Sequence, residues 1–304
     1  MYFPLLRGKQ YELIALKELS TIVPNDLFKP IIEPVRKNLK QLEVAVKLLN
    51  KNKIIPIIIV NSEIGELKGN TNNFINNLYN IKGISFMPCI KYIDDIQEFD
   101  RLNGIINGEK ASYVESGVTK ELVSRLKVFS INIIPEGSPN IVLQQLSNIV
   151  LMDDPFKKKK RNADYPSNSY FSDLHVRYSG VHNSVIGFGD FNIAGSDYAE
   201  SGGPAYVVTI HVSYLDSNEF DAMSVRHFSS VDDGTPSNPS GKFQQALEKL
   251  VLHDQNFPKF FDNTSGLRGG FKSLHARRHY PGLGQVKQLS MQHHIETICN
   301  FIAV

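Results

Sequence analysis

The sequence has little cysteine, little net charge and no long apolar run. Its two cysteines, Cys89 and Cys299, stand far apart in apolar surroundings, which favours buried thiols over a disulfide or a thiolate metal site. A net charge of +2 is too small to indicate a nucleic-acid partner by itself. No apolar run approaches the roughly 20 residues of a membrane-spanning helix, and the first residues carry charge where a signal peptide is apolar. We therefore expect a cytoplasmic protein without a membrane segment.

Short apolar runs that contain proline alternate with segments of helical periodicity. The stretch "FKPIIEPVR" is typical, and "IIPIIIVNS", "FMPCIKY" and "IIPEG" repeat its pattern. Because proline lacks an amide donor, we interpret these prolines as markers of strand ends. The runs predict eight strands, over residues 3–7, 29–34, 54–60, 84–92, 111–116, 128–137, 148–154 and 184–191.

Near-continuous apolar strands that alternate with helices are typical of a parallel sheet covered by helices. Helical periodicity recurs between the strands, as in "QYELIALKELS" and "LKQLEVAVKLLNKN". Eight such units predict an α/β fold of the (β/α)8 TIM-like barrel type. The alternative is an open, doubly wound sheet, which has the same local pattern.

The pattern changes after the eighth strand. "AYVVTIHVSYL" and "DAMSVRHFSS" predict an antiparallel β-hairpin, and "KFQQALEKLVLHDQ" and "QVKQLSMQHHIETICNFIA" predict two C-terminal helices. We expect an elaborated loop after strand 8 that closes over the barrel mouth, with the terminal helices outside. The predicted organisation is a single barrel domain over residues 1–304, with a core over 1–195 and the hairpin and helices over 196–304.

The opening "YFPLLRGKQYELIALKELS", followed by "KPIIEPV", resembles the Beta family proteins of phages and mobile elements in bacterial genomes. The residues that match the family's opening are Pro4, Arg7, Lys9, Gln10 and Glu12, while Tyr11 stands where glycine is usual. The likeness extends in outline across the strands and is weakest after about residue 195. No reaction is established for the family, so the resemblance implies a setting in phage biology or antiviral defence rather than a chemistry.

Polar residues follow the predicted strands, at the end where barrel enzymes place their chemistry. They are Arg7, Lys9, Glu33, Asn61, Lys91, Glu115, Glu136, Asp153, Asp154 and Asp190. The candidate catalytic residues among them are Lys9, Glu33, Lys91, Glu115, Glu136 and Asp190. So many carboxylates around one opening suggest Mg²⁺ or Mn²⁺, with Glu115, Asp153 and Asp190 as candidate ligands. Alternatively, Lys9 and Lys91 neutralise the carboxylates directly.

The stretch "LMDDPFKKKKR" places a basic loop after the seventh strand, where barrels often hold phosphate. Its candidate phosphate-binding or nucleic-acid-binding residues are Lys157, Lys158, Lys159, Lys160 and Arg161, together with Arg7. The tyrosines of "ADYPSNSYFSDLHVRY" favour a contact surface, because aromatic rings stack on bases. The alternative is a solvated loop without a fixed partner. His211 and His227, on the predicted hairpin, are either general acid–base groups or structural.

Two classes of function stay open. The first is an enzyme, of the metal-dependent phosphoester hydrolase or nuclease-like type, that acts on nucleic acid or a nucleotide through the acidic rim. The second is a non-catalytic sensor or partner subunit of an antiphage system that binds a protein or nucleic acid. The fold alone does not choose between them.

Overall fold

The computed structural model describes residues 1–200 and 202–304. The chain folds into two compact units. The first consists of Met1–Asp153 and Leu174–Phe191, and the second of Asp154–Asp173 and Asn192–Val304. The sequence pattern did not indicate that segment 154–173 belongs with the C-terminal part. The organisation as a single domain stays a prediction.

Eight parallel strands of the first unit form a nearly closed barrel, which confirms the predicted fold class. In sheet order they are β1 (Leu5–Leu6), β2 (Ile31–Ile32), β3 (Ile57–Ile59), β4 (Met87–Tyr92), β5 (Ala111–Val114), β6 (Ile131–Pro135), β7 (Ile149–Asp153) and β9 (Val185–Asp190). Strand β8 (Asn168–Ser172) belongs to the second unit. All eight predicted strands are present, most of them shorter than predicted.

The barrel closes between the start of the chain and β9. Tyr2 forms a parallel bridge with Phe188, and the Phe3 amide donates to the Phe188 carbonyl at 2.8 Å. Gly187 and Gly189 make this approach possible, because a Cβ on the first would collide with the Phe3 ring and a Cβ on the second with the Phe3 carbonyl. The two glycines thus admit the backbone of the first residues beside β9.

Helices follow the barrel strands along the chain. They are α1 (Gln10–Leu19), α2 (Lys40–Lys51), α3 (Thr71–Tyr79), α4 (Ile96–Ile105), α5 (Lys120–Leu126), α6 (Asn140–Leu143) and α7 (Leu174–Val181). Their apolar faces are buried at helical spacing, as Leu42, Val46 and Leu49 show in α2. The carboxylate of Asp95 caps α4 by accepting hydrogen bonds from two backbone amides of its first turn.

Alternate strand residues fill the inside of the barrel. The inward-facing cluster consists of Phe3, Leu5, Ile31, Ile57, Ile59, Cys89, Ala111, Tyr113, Ile131, Ile133, Val150, Met152 and Phe191. Within β3, β6 and β7 its members are two residues apart, which is the side-chain period of a strand. This alternation determines which residues at the strand ends also face inward.

The second unit is a three-stranded antiparallel sheet with helices. Its strands, in the order β10 (Thr209–Asp216), β11 (Ala222–Ser229) and β8, include the predicted hairpin. Its helices are α8 (Pro239–Asn256), a π-helical segment (Gly266–Lys272) that runs into α9 (Ser273–Ala276), and α10 (Leu283–Ile302). One apolar core joins the hairpin to α8 and α10. Across the described ranges, no helix combines the length and the apolar character needed to cross a membrane.

Candidate functional site

Five polar residues continue the inward-facing alternation of the barrel beyond its apolar core. Each stands two positions after a residue of the inward-facing cluster, either within its strand, as in β4, or one or two residues beyond the end of β1, β2, β3 or β5. These residues are Arg7, Glu33, Asn61, Lys91 and Glu115. Because side chains alternate between the two faces of a strand, the register that buries the core also directs these five into the carboxyl-terminal end of the barrel.

Four of these side chains form a connected set of ion pairs, which we call the rim cluster: Arg7, Glu33, Lys91 and Glu115. The guanidinium of Arg7 contacts one carboxylate oxygen of Glu33. The Lys91 Nζ lies 3.6 Å from the other Glu33 oxygen and 2.8 Å from Glu115 Oε1. The Glu33 side chain is fully buried, whereas that of Glu115 is 42% exposed. Cations and carboxylates thus alternate along the cluster, from Arg7 through Glu33 and Lys91 to Glu115, the most exposed member.

The rim cluster balances its charges internally. Its two cations and two carboxylates sum to zero, and Glu33, which has no access to water, contacts both cations. A buried carboxylate is stable only when it is paired in this way. Of the alternatives that the sequence left open, the arrangement matches neutralisation by direct pairing, with Lys91 rather than Lys9 as the lysine.

Neighbouring polar groups hold two members of the rim cluster, Lys91 and Glu115, in place. The Asn61 side chain donates to the Lys91 carbonyl at 2.7 Å and accepts from the Lys91 amide at 2.8 Å, so it holds the backbone of β4. Tyr113 Oη donates to Glu115 Oε1 at 3.2 Å. Burial, and then the charge of Glu115, raise the pKa of Tyr113 well above its ordinary value, so its hydroxyl stays a donor.

Sequence reasoning missed Tyr113 and Ser62, whose hydroxyl lies 3.5 Å from Glu33 Oε1. Tyr113 is part of an apolar strand run, where it counts as a core residue, and it is one in this structure. The signal that was available is its position two residues before Glu115, which places both side chains on the same face of β5.

Three acidic residues at the ends of β6, β7 and β9 point to the other face of the sheet: Glu136 directly follows β6, and Asp153 and Asp190 are the last residues of β7 and β9. Glu136, Asp153 and Asp190 each neighbour an inward-facing position and therefore face the helix layer. Glu136 pairs with Arg177 of α7 at 2.7 Å. Asp190 accepts a hydrogen bond from Tyr2 Oη at 2.7 Å. The sequence placed these carboxylates at the same opening as Glu33 and Glu115, and the structure turns them away from it.

Two further predicted residues have local roles. Lys9 is the N-cap of α1, and its amide donates to the side chain of Glu12 at 3.2 Å. Burial raises the pKa of that Glu12 carboxyl. Asp154 belongs to the second unit, where it accepts a hydrogen bond from the Ser196 amide at 3.1 Å.

The rim does not provide a ready set of metal ligands. Glu33 and Glu115 are engaged by cationic side chains, and Asp153 and Asp190 face the other side of the sheet. Throughout residues 1–200 and 202–304, no three His, Cys, Asp or Glu side chains are grouped so that they could hold a metal ion. Binding of Mg²⁺ or Mn²⁺ stays a prediction of the sequence.

The basic loop lies in the second unit with its lysines on the surface. Lys157, Lys158, Lys159 and Lys160 are all exposed. The guanidinium of Arg161 instead forms an ion pair with Asp164 at 2.6 Å. Lys157 and Lys159 border a cavity lined by aromatic rings, which the sequence did not foresee.

The two hairpin histidines face each other across β10 and β11. Their Nδ1 atoms are 2.7 Å apart, so one ring donates to the other. Burial lowers the pKa of His227 to about 4 and that of His211 well below its ordinary value, and each ring is held neutral near neutral pH. This pairing favours the structural interpretation of both residues.

No protein-family model, curated protein or solved structure matches this chain. The resemblance to the Beta family proteins therefore stays a prediction that depends on the residues quoted above.

Proposed function

We propose that the barrel is an enzyme that acts on a phosphate-containing substrate at the rim cluster. The observation that carries this proposal is the position of Lys91, between buried Glu33 and half-exposed Glu115, beside Arg7. Barrel enzymes place their chemistry at this end of the strands. Two fixed cations in a poorly hydrated site would bind an anionic group and stabilise charge that develops on it.

Each residue of the rim cluster and its neighbours has a separate role in the proposed reaction. Lys91 and Arg7 bind the phosphate oxygens and stabilise negative charge in the transition state. Glu115, released from Lys91 by the incoming anion, accepts a proton from the attacking water as the water oxygen bonds to phosphorus. The ester P–O bond then breaks, and the leaving oxygen takes up the proton that Glu115 holds. Tyr113 orients that carboxylate through its hydroxyl, and Asn61 holds the backbone of Lys91. This assigns a hydrolase of phosphoesters, with nucleotides and nucleic acid as the substrates to test first.

A second candidate is a non-catalytic sensor or partner subunit that binds a protein or nucleic acid. The observation that favours it is the internal charge balance of the rim cluster, which is complete without a ligand. The setting in antiphage defence or phage biology is proposed from the resemblance alone. We also propose the cytoplasm as the location, from the sequence.

The test is a hydrolysis assay with a chromogenic phosphodiester, a chromogenic phosphomonoester, nucleotides and short oligonucleotides. Each substrate is assayed with added Mg²⁺, with Mn²⁺ and with EDTA, which separates metal-dependent from metal-independent turnover. Glu115→Gln should lower kcat/KM by about 100-fold or more, the effect of losing a general base. The matched control is Glu121→Gln, which neutralises a glutamate that pairs with a cation on the outer surface of α5.

Equal turnover by folded Glu115→Gln and the parent would refute the assigned base. If none of the substrates is turned over in any of the three conditions, the second candidate is supported instead.

A further inference from the structure

The basic loop of the second unit is held in place at one point by an aromatic residue. Tyr165 Oη accepts a hydrogen bond from the Lys159 amide at 3.2 Å. The ring of the same tyrosine stacks on His227, with centroids 4.9 Å apart and an angle of 29° between the planes. His227 is fixed in turn by Ser169, whose Oγ is 2.8 Å from its Nε2. The loop is therefore attached to the sheet at Lys159.

A cavity of about 80 Å³ lies where the loop meets the sheet. Lys157 and Lys159 border it, and its wall includes the rings of Phe156, Tyr165, Tyr170, Phe171 and His227. The pairing of β8 with β11 assembles this wall, because it places Ser169 opposite Val225 and brings Tyr170 beside the hairpin. Tyr170 is 55% exposed, so its ring offers a surface to a ligand.

None of the loop lysines forms an ion pair among the residues that the structure describes, although the hydrogen bond from Arg161 and, to a lesser extent, the charge of Lys159 lower the pKa of nearby Asp164. The ion pairs of the second unit involve other cations, such as Arg161 with Asp164 and Lys242 with Asp233. Four consecutive exposed lysines, Lys157–Lys160, thus concentrate positive charge on the surface, and two of them, Lys157 and Lys159, border the aromatic wall. Repulsion between neighbouring ammonium groups is relieved when a polyanion binds.

Lysines beside an exposed aromatic ring fit one class of polyanion better than the others. Single-stranded nucleic acid offers a phosphate at every nucleotide and an unpaired base that stacks on an aromatic ring. In a duplex the base faces are stacked inside the helix, out of reach of Tyr170. An acidic peptide supplies the charge but no flat aromatic base.

We propose that single-stranded nucleic acid binds the second unit, with its phosphates on Lys157–Lys160 and a base stacked on Tyr170 at the edge of the cavity. We call these five residues the lysine–aromatic site. All five residues belong to the second unit, and none of them is a member of the rim cluster. The proposal stands whether or not the barrel is catalytic.

The test is fluorescence anisotropy of the full chain with a labelled oligothymidylate over a series of salt concentrations. Replacing all four lysines by glutamine should reduce the slope of log K against log salt by up to about 2.8, since each phosphate contact to a single strand contributes about 0.7. The control removes the same charge elsewhere, by the glutamine substitution of Lys51, Lys53, Lys68 and Lys82, which are exposed in the first unit. It should leave the slope nearly unchanged.

Tyr170→Ala tests the stacking contact separately. It should weaken binding about 5- to 150-fold, the effect of losing one base–aromatic stack, with the salt slope unchanged. The same variant and the parent should bind an abasic strand equally, because that strand has no base to stack.

Any of three results with nucleic acid would overturn the proposal: no binding of the strand at low salt, equal salt slopes for the two quadruple variants, or a duplex bound as tightly as the single strand. A poly-glutamate peptide bound as tightly as the oligonucleotide would overturn it in favour of an acidic protein partner. Circular dichroism of each variant verifies that the chain is folded.

Discussion

Replacing Lys91 by methionine tests the electrostatics of the rim cluster most directly. Methionine keeps an unbranched side chain of similar reach and removes only the ammonium group. The Nζ lies 3.6 Å from Glu33 Oε1, and the Glu33 side chain has no exposure to water. At an effective dielectric constant of about 20, a Coulomb interaction over this distance is about 4–5 kcal/mol before desolvation is considered.

The net loss of stability should be smaller than this gross attraction. Removing one partner of a buried ion pair costs about 3–5 kcal/mol when the other charge is left uncompensated. Arg7 still contacts Glu33 in the variant, and Glu115 is exposed enough for water to solvate it. We therefore expect Lys91→Met to lower the free energy of unfolding by about 2–3 kcal/mol, or Tm by about 5–10 °C.

The assay is thermal and urea-induced unfolding followed by far-UV circular dichroism. The matched control is Lys47→Met, which removes the ammonium of an exposed pair with Glu43 on α2, where the separation is 2.5 Å. An exposed helical pair of this kind contributes about 0.3–0.5 kcal/mol, so the control should barely shift Tm. The shorter distance in the control thus accompanies the smaller effect, because burial rather than distance decides the outcome.

A double-mutant cycle isolates the interaction itself. If Lys91→Met is costly because it leaves Glu33 undercompensated, then adding Glu33→Gln should cost less in the variant than in the parent, with a coupling of about 1–3 kcal/mol. Additive losses, or a Lys91→Met variant as stable as Lys47→Met, would refute the electrostatic account of the cluster.

Three further predictions concern packing, protonation and reactivity. Gly189→Ala should destabilise the barrel by about 1–3 kcal/mol, because the new Cβ collides with the Phe3 carbonyl. The control Gly104→Ala, with open space around a helical glycine, should be neutral or stabilising by up to about 1 kcal/mol in urea unfolding. Burial lowers the pKa of His293 to about 4. On acidification the unfolded chain therefore protonates this histidine before the folded chain does. The free energy of unfolding should fall between about pH 6.5 and pH 4, by at most about 3 kcal/mol. A His293→Gln variant should show a flatter dependence of the urea midpoint on pH, and an identical dependence contradicts the assignment. Burial raises the pKa of the Cys89 thiol, so it should react with a thiol reagent only after unfolding, and rapid reaction of the native chain would contradict its buried position.

The positions of the barrel strands were predictable because local sequence determines them. Proline marks several strand ends as expected: Pro30 and Pro34 flank β2, Pro56 precedes β3, and Pro135 ends β6. Pro88 is the exception, since it lies within β4. Strand β8 was missed because "NSYFS" is too polar to stand out from the loops around it.

The membership of the rim cluster was only partly predictable. Arg7, Glu33, Lys91 and Glu115 were all named from the rule that a polar residue follows each strand. The same rule also selected Glu136 and Asp190, which face the helix layer. The rule does not predict which cation pairs with each carboxylate, because ion pairs between residues at the ends of β1, β2, β4 and β5 depend on how the barrel closes.

Local sequence sets the alternation of strand and helix, the apolar runs that form the parallel barrel, and the hairpin and helices that follow. Which polar residues share a site depends instead on how the sheet closes. Barrel strands are buried on both faces, so their apolar runs are nearly continuous and hide which alternate positions face inward. Closure of the sheet sets that alternation, and with it the separation of Glu33 and Glu115 from Glu136 and Asp190.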